Sequence, residues 1–127
     1  MTNHHHAIAW ARYGAFLMFL AVVLGAFGGH VLRAKLSPDQ ISIYETAVLF
    51  HMVHALGILA AAWLFSLTED LKVLWAERMF LVGIFLFSGS LYLLAVTRAP
   101  WLGIITPLGG LAWLAGWLLL ALTKKKI

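Results

Sequence analysis

The sequence predicts an all-α integral membrane protein: a four-helix transmembrane bundle with both termini in the cytoplasm. Three observations carry this. Of 127 residues, 63% are hydrophobic and only 11% are charged, against roughly 25% charged in a soluble domain. A chain of this size cannot hide so much apolar surface in one aqueous core. The charges also fall between long apolar blocks. Asp, Glu, Lys and Arg are absent from residues 13–32, 46–68, 79–97 and 99–123, each block near the roughly 20 residues a helix needs to cross a bilayer core. In lipid the backbone must satisfy its own hydrogen bonds, so the blocks are read as helices.

The elements follow in order. The first 30 residues resemble a signal peptide superficially. Their apolar block is longer than a typical signal core, and Gly28-Gly29-His30 is a poor cleavage site. A retained first span over about 13–32 is expected. Before it, His4-His5-His6 reads as a tag remnant or a loose native terminus with weak metal affinity. Ser37-Pro38-Asp39-Gln40 combines a serine cap, a first-turn proline and a glutamine that closes a capping box. The second helix therefore starts near Pro38, with its span over about 46–68. The third span is expected over about 79–97. Thr106-Pro107 repeats the cap-then-proline signal. The fourth helix is expected to begin there, within a span of about 104–123, with residues 101–105 forming an interfacial turn. The whole chain is one domain, with no repeat or linker.

Orientation is read from the cations. Arg12, Lys72, Arg78 and Lys124-Lys125-Lys126 fall on one side; Arg33, Lys35 and Arg98 fall on the other. The cation-rich side is the cytoplasmic one, which suits a bacterial inner membrane. Trp10, Trp75 and Trp101 lie near span ends, where interface anchors belong. A pI near 9.8 invites a nucleic-acid reading, but no basic patch is interleaved with aromatics, so no nucleic-acid partner is expected. The absence of cysteine removes disulfides, thiolate metal sites and cysteine nucleophiles.

Helices in lipid associate through close packing and hydrogen bonds, because lipid tails are as apolar as leucine. Small residues mark the expected contacts: Ala21, Gly25, Gly28 and Gly29 in the first span, Gly89 in the third, and Gly109, Ala112 and Gly116 in the fourth. A phosphate loop is excluded, since these glycines lie mid-span with no Lys-Ser or Lys-Thr following.

Topology sends the intramembrane polar residues to one end. His30 closes the first span. Tyr44, Glu45, Thr46, His51 and His54 open the second, Ser88, Ser90 and Tyr92 lie late in the third, and Thr106 opens the fourth. A polar cluster in the outer leaflet half is the expectation. His51 and His54, about 60° apart on a helical wheel, share a face. Three readings stay open for them. Neutral histidines can act as hydrogen-bonding glue. They can form a proton or small-solute path, because imidazole titrates near physiological pH. They can ligate metal or haem, with His30, His51 and His54 as the weak candidates. Catalysis has no support: there is no serine elbow, no HExxH and no pair of intramembrane carboxylates.

Four segments carry a family resemblance: LGAFGGHVL (24–32), YETAVLFHMVHALGIL (44–59), LFSGSLYLL (86–94) and TPLGGLAWLAGW (106–117). Together, and in this order, the chain resembles the small four-span proteins of the domain-of-unknown-function family four hundred and twenty-three. That family includes bacterial YgdD-like inner-membrane proteins and eukaryotic relatives of transmembrane protein two hundred and fifty-six. Its pattern falls on Gly25, Gly28, His30, Thr46, His54, Ser88, Gly89, Ser90, Tyr92, Thr106, Pro107, Gly109, Gly110 and Gly116. The chain departs from it at Gly29, where the family usually has Ala, and at His51, where it usually has Gln. The resemblance implies a multi-pass membrane protein and favours His30 and His54 over His51 for any shared role.

The expectation is a non-enzymatic membrane component, either an accessory or assembly subunit or a homo-oligomer, whose partners are the bilayer and other subunits or itself. No cofactor is expected. Transport through the outer polar cluster, and His-ligated metal or haem, are the alternatives.

Overall fold

The computed structural model describes residues 2–126. Helix α1 (Thr2–His30) runs into a 3-10 turn (Leu32–Ala34). Helix α2 (Pro38–Thr68) follows. Helix α3 (Leu71–Gly83) passes through a π-helical stretch (Ile84–Gly89) into α4 (Ser90–Thr97), and the three form one continuous rod. Helix α5 (Leu102–Ala121) closes the bundle. The described residues contain no strand, and four helices are long and apolar enough to cross a membrane.

Helix boundaries follow local chemistry. The Ser37 hydroxyl accepts from Gln40 N, and the Gln40 amide oxygen accepts from Ser37 N, which completes the capping box. Helix α2 ends at Glu69 in the left-handed region (φ 54°), and Asp70 at once caps α3 by accepting from Lys72 N. Arg98 ends α4 in the same left-handed conformation (φ 56°). Both side chains reach partners on other segments, Glu69 accepting from Lys126 and Arg98 donating to Gln40.

Two expectations about helix starts need correction. His4-His5-His6 is not a loose end but part of α1. Helix α5 begins at Leu102, so residues 101–105 are not a turn and Thr106-Pro107 is not its cap. The proline that opens the helix is Pro100: Leu102, Gly103 and Ile104 N–H groups bond to the carbonyls of Ala99, Pro100 and Trp101. Pro107 lies inside the helix and removes one backbone bond there. The Thr106 hydroxyl turns sideways to Ser90 instead of capping.

Helix α2 is central: α1, α3, the π stretch and α4 all pack on it, and α5 lies across the third rod. Ala55, Ile58, Ala61, Val73, Ala76 and Phe80 are fully excluded from solvent. The outer faces carry large apolar side chains such as Phe19, Trp63, Phe85, Ile104 and Leu114, as a lipid-facing surface requires.

The small-residue contacts are partly as expected. Ala21 is buried without residual exposure, Gly25 faces Val48, Gly28 lies under the Tyr44 ring, and Gly116 lies under Phe80. At Gly109 the α5 backbone touches the backbone of Phe87, an approach that only a residue without Cβ allows. Ala112 is half-buried. Gly29 and Gly89 depart from the expectation. A methyl at Gly29 would meet nothing within 4 Å, since Gly29 borders an open groove between α1 and α2. Gly89 closes the π stretch and makes no tight contact with another helix. Gly14, Gly57 and Gly83 were not singled out, yet each packs against a neighbouring helix; the Trp113 indole fills the space over Gly83.

Candidate functional site

His54 is held on all sides. Its ring stacks on the Trp113 indole with centroids 3.7 Å apart and planes 3° from parallel. Nδ1 lies 2.8 Å from the Phe50 carbonyl, which can only accept. Nε2 lies 3.0 Å from the Trp117 indole nitrogen, which can only donate. The partners therefore fix the neutral tautomer with its proton on Nδ1. Phe50, Phe80 and Phe87 complete an aromatic box. In this arrangement both ring nitrogens are used. A second proton on Nε2 would face the Trp117 N–H, and a metal there would have to displace it.

His51 sits one turn nearer the outer end. Its Nδ1 is 2.9 Å from the Tyr92 hydroxyl. The ring is buried, and Nε2 forms no hydrogen bond. The tautomer decides whether Nδ1 accepts from the Tyr92 hydroxyl or donates to it.

Of the outer polar residues, Tyr44, Tyr92 and His51 come together, the Tyr44 ring packing on Tyr92 at 5.3 Å, while the others form separate bonds. Tyr44 donates to the Leu24 carbonyl. Ser88 donates to Ala47 O at 2.8 Å, tying the π stretch to α2. Ser90 and Thr106 hydroxyls are 2.6 Å apart, tying α4 to α5. Thr46 bonds back to Ser42 O within its own helix. Glu45 is exposed and pairs with Arg33 at 2.6 Å. His30 is exposed at the end of α1, away from the buried imidazoles. Of the three weak metal candidates, His30 does not join the two buried imidazoles: helix phase turns it outward while Gly28 faces Tyr44. Among the described residues, no three His, Asp or Glu side chains converge on a metal position.

The opposite end holds what the sequence reading missed. His6 Nε2 lies 2.8 Å from Glu77 Oε2. Glu77 is wholly buried, and its Oε1 has no partner. The His6 ring packs on Phe65 at 4.7 Å. This pair joins the start of α1 to α3. Glu77 lies in the stripe of Val73, Phe80 and Ile84, all buried, and a carboxylate within an apolar stripe at helical spacing was the available signal. Nearby, Asp70 accepts from the Lys124 and Lys72 N–H groups, which hold its carboxyl below the usual range. The Lys126 ammonium and then the Asn3 side chain do the same for Glu69. Gln40, read from the sequence as a capping residue only, is buried near the outer end. It donates to Ala95 O at 2.7 Å and accepts from Arg98 at 2.7 Å.

The fold and its internal bonds define a multi-pass, all-helical membrane protein whose polar side chains join helix to helix. The chain belongs to the family described as "Protein of unknown function (DUF423)", which matches residues 24–110. It is 43% identical over 113 residues to a UPF0382 membrane protein of Staphylococcus haemolyticus, covering 89% of this chain and 92% of the relative. It is 42% identical over 114 residues to the UPF0382 membrane protein YwdK of Bacillus subtilis, covering 89% of this chain and 93% of the relative. No solved structure matches the chain. The multi-pass architecture and a bacterial membrane location agree with these relatives, and neither relative's name is that of an enzyme.

Proposed function

We propose that the protein is a non-enzymatic structural component of the bacterial membrane, an accessory or assembly subunit or a homo-oligomer, that works through its lateral surface. Its spans lie at about residues 13–32, 46–68, 79–97 and 104–123, with both termini cytoplasmic. The observation that carries this reading is the state of His54. Its nitrogens are consumed by Phe50 O and Trp117, so the imidazole works as glue between α2 and α5. Ser88 and the Ser90–Thr106 pair do similar work.

Native mass spectrometry of untagged protein, extracted gently from its own membranes, tests the reading. Extra mass matching other subunits, or a multiple of the chain, is the expected result. A bare, partner-free monomer would overturn it. The second reading, a proton or solute path, draws on the unpartnered Nε2 of His51. Proton flux in liposomes that survives His51→Gln unchanged would remove that alternative.

A further inference from the structure

Helix α1 packs chiefly on α2 and leaves a crevice against the third rod. The crevice has a volume of about 560 Å3, within the range of about 300–1,000 Å3 for small-molecule sites. Its wall is apolar throughout. Tyr13, Phe16 and Leu20 line one side, and Leu81 and Phe85 the other. His51 and Tyr92 border it; His51 Nδ1 bonds to the Tyr92 hydroxyl, and Nε2 is buried without a partner.

Length and charge say what fits. From Tyr13 to Leu24 the α1 wall rises about 16 Å, and the opposite wall from Leu81 to Tyr92 rises the same. Half of a bilayer core is about 15 Å. With the spans placed as proposed above, the crevice runs from the inner interface to about the bilayer centre, the depth of one acyl chain. An arginine stands one turn before each wall. Arg12 precedes Phe16 and Leu20 on their helical stripe, and Arg78 precedes Leu81 and Phe85 on theirs. Both are exposed, and among the described residues neither is paired with a carboxylate. Arg78 lies over the Trp75 ring at 5.2 Å, at the level where aromatic side chains meet headgroups.

We infer that this crevice is a binding site for an anionic phospholipid of the inner leaflet, with one acyl chain between α1 and the third rod and the phosphate between Arg12 and Arg78. The inference rests on the span limits and orientation given above but not on the subunit reading.

Native mass spectrometry in mild detergent tests it. Phosphatidylglycerol and phosphatidylcholine of matched chains are titrated separately. The expected result is tighter retention of phosphatidylglycerol, on the order of 10-fold, from two cations at the headgroup. Arg12→Gln with Arg78→Gln should erase that preference. Leu20→Trp should lower retention of both lipids by filling the crevice, and Phe85→Trp fills it from the opposite wall should the first variant fail to fold. Equal retention of the two lipids by the unsubstituted protein would overturn the headgroup site. Undiminished retention in a folded crevice-filled variant would overturn the seat, leaving annular lipid only. Lipid and subunit masses are read separately, so this site can fail while the subunit reading stands.

Discussion

The contact between His54 and Trp117 lends itself to a double-mutant cycle. Trp117→Phe removes the indole N–H while keeping an aromatic ring against Phe80, whose centroid lies 4.6 Å away. His54→Leu removes the acceptor and the stack on Trp113. Interhelical hydrogen bonds in membranes average about 0.6 kcal/mol, with an upper end near 1.7. Burial of His54 at 4% exposure and a 3.0 Å contact place this one toward the upper end, so a coupling of about 1 kcal/mol is expected. The single His54→Leu change should cost more, about 2 kcal/mol, because a stacked aromatic pair adds about 0.5–1.5 kcal/mol and the Trp117 N–H loses its acceptor. The assay is unfolding of detergent-solubilised protein by denaturing detergent, followed by tryptophan fluorescence. A coupling energy indistinguishable from zero would refute the locked-tautomer account of His54. So would a His54→Leu variant as stable as the parent.

Three further outcomes are expected. His6→Ala should destabilise the protein by about 1–3 kcal/mol, since it leaves the wholly buried Glu77 carboxyl without its hydrogen-bond partner; His6→Ala with Glu77→Gln should recover much of the loss in the same assay, and no recovery would mean that His6 matters through its packing on Phe65. Gly28→Ala should cost about 1–3 kcal/mol by driving a methyl into Tyr44, whereas Gly29→Ala, which meets nothing, should be neutral or slightly stabilising; equal effects would contradict the assigned helix phase. The depressed carboxyls of Asp70 and Glu69 contribute stability above the ordinary carboxylate range of about 4. That contribution is lost as pH falls through the lowered folded values, so Asp70→Asn should flatten the acid limb of a stability–pH curve. An unchanged limb would show that the bonds to Lys124 and Lys72 do not act in solution.

The sequence by itself determined the architecture. Charge-free blocks, backbone self-satisfaction in lipid and the Ser37–Gln40 capping box are local or compositional, and each depends on residues adjacent in the chain. The glycines facing a neighbour were legible only in part, because small-residue spacing marks a packing stripe without saying which side another helix occupies; hence Gly28 packs and Gly29 does not. The start of α5 was misplaced because two proline signals compete there, and only the turn bonds at Pro100 decide between them. The candidate site needed the tertiary structure most. His54 meets Trp117, and His6 meets Glu77, across 63 and 71 residues of sequence. Such pairings depend on the rotation of each helix about its axis. Contacts made far along the chain set that rotation, and no local pattern encodes it. Composition fixed that the helices lie in a membrane; packing decided which polar groups join them and that His30 is not among the buried ones.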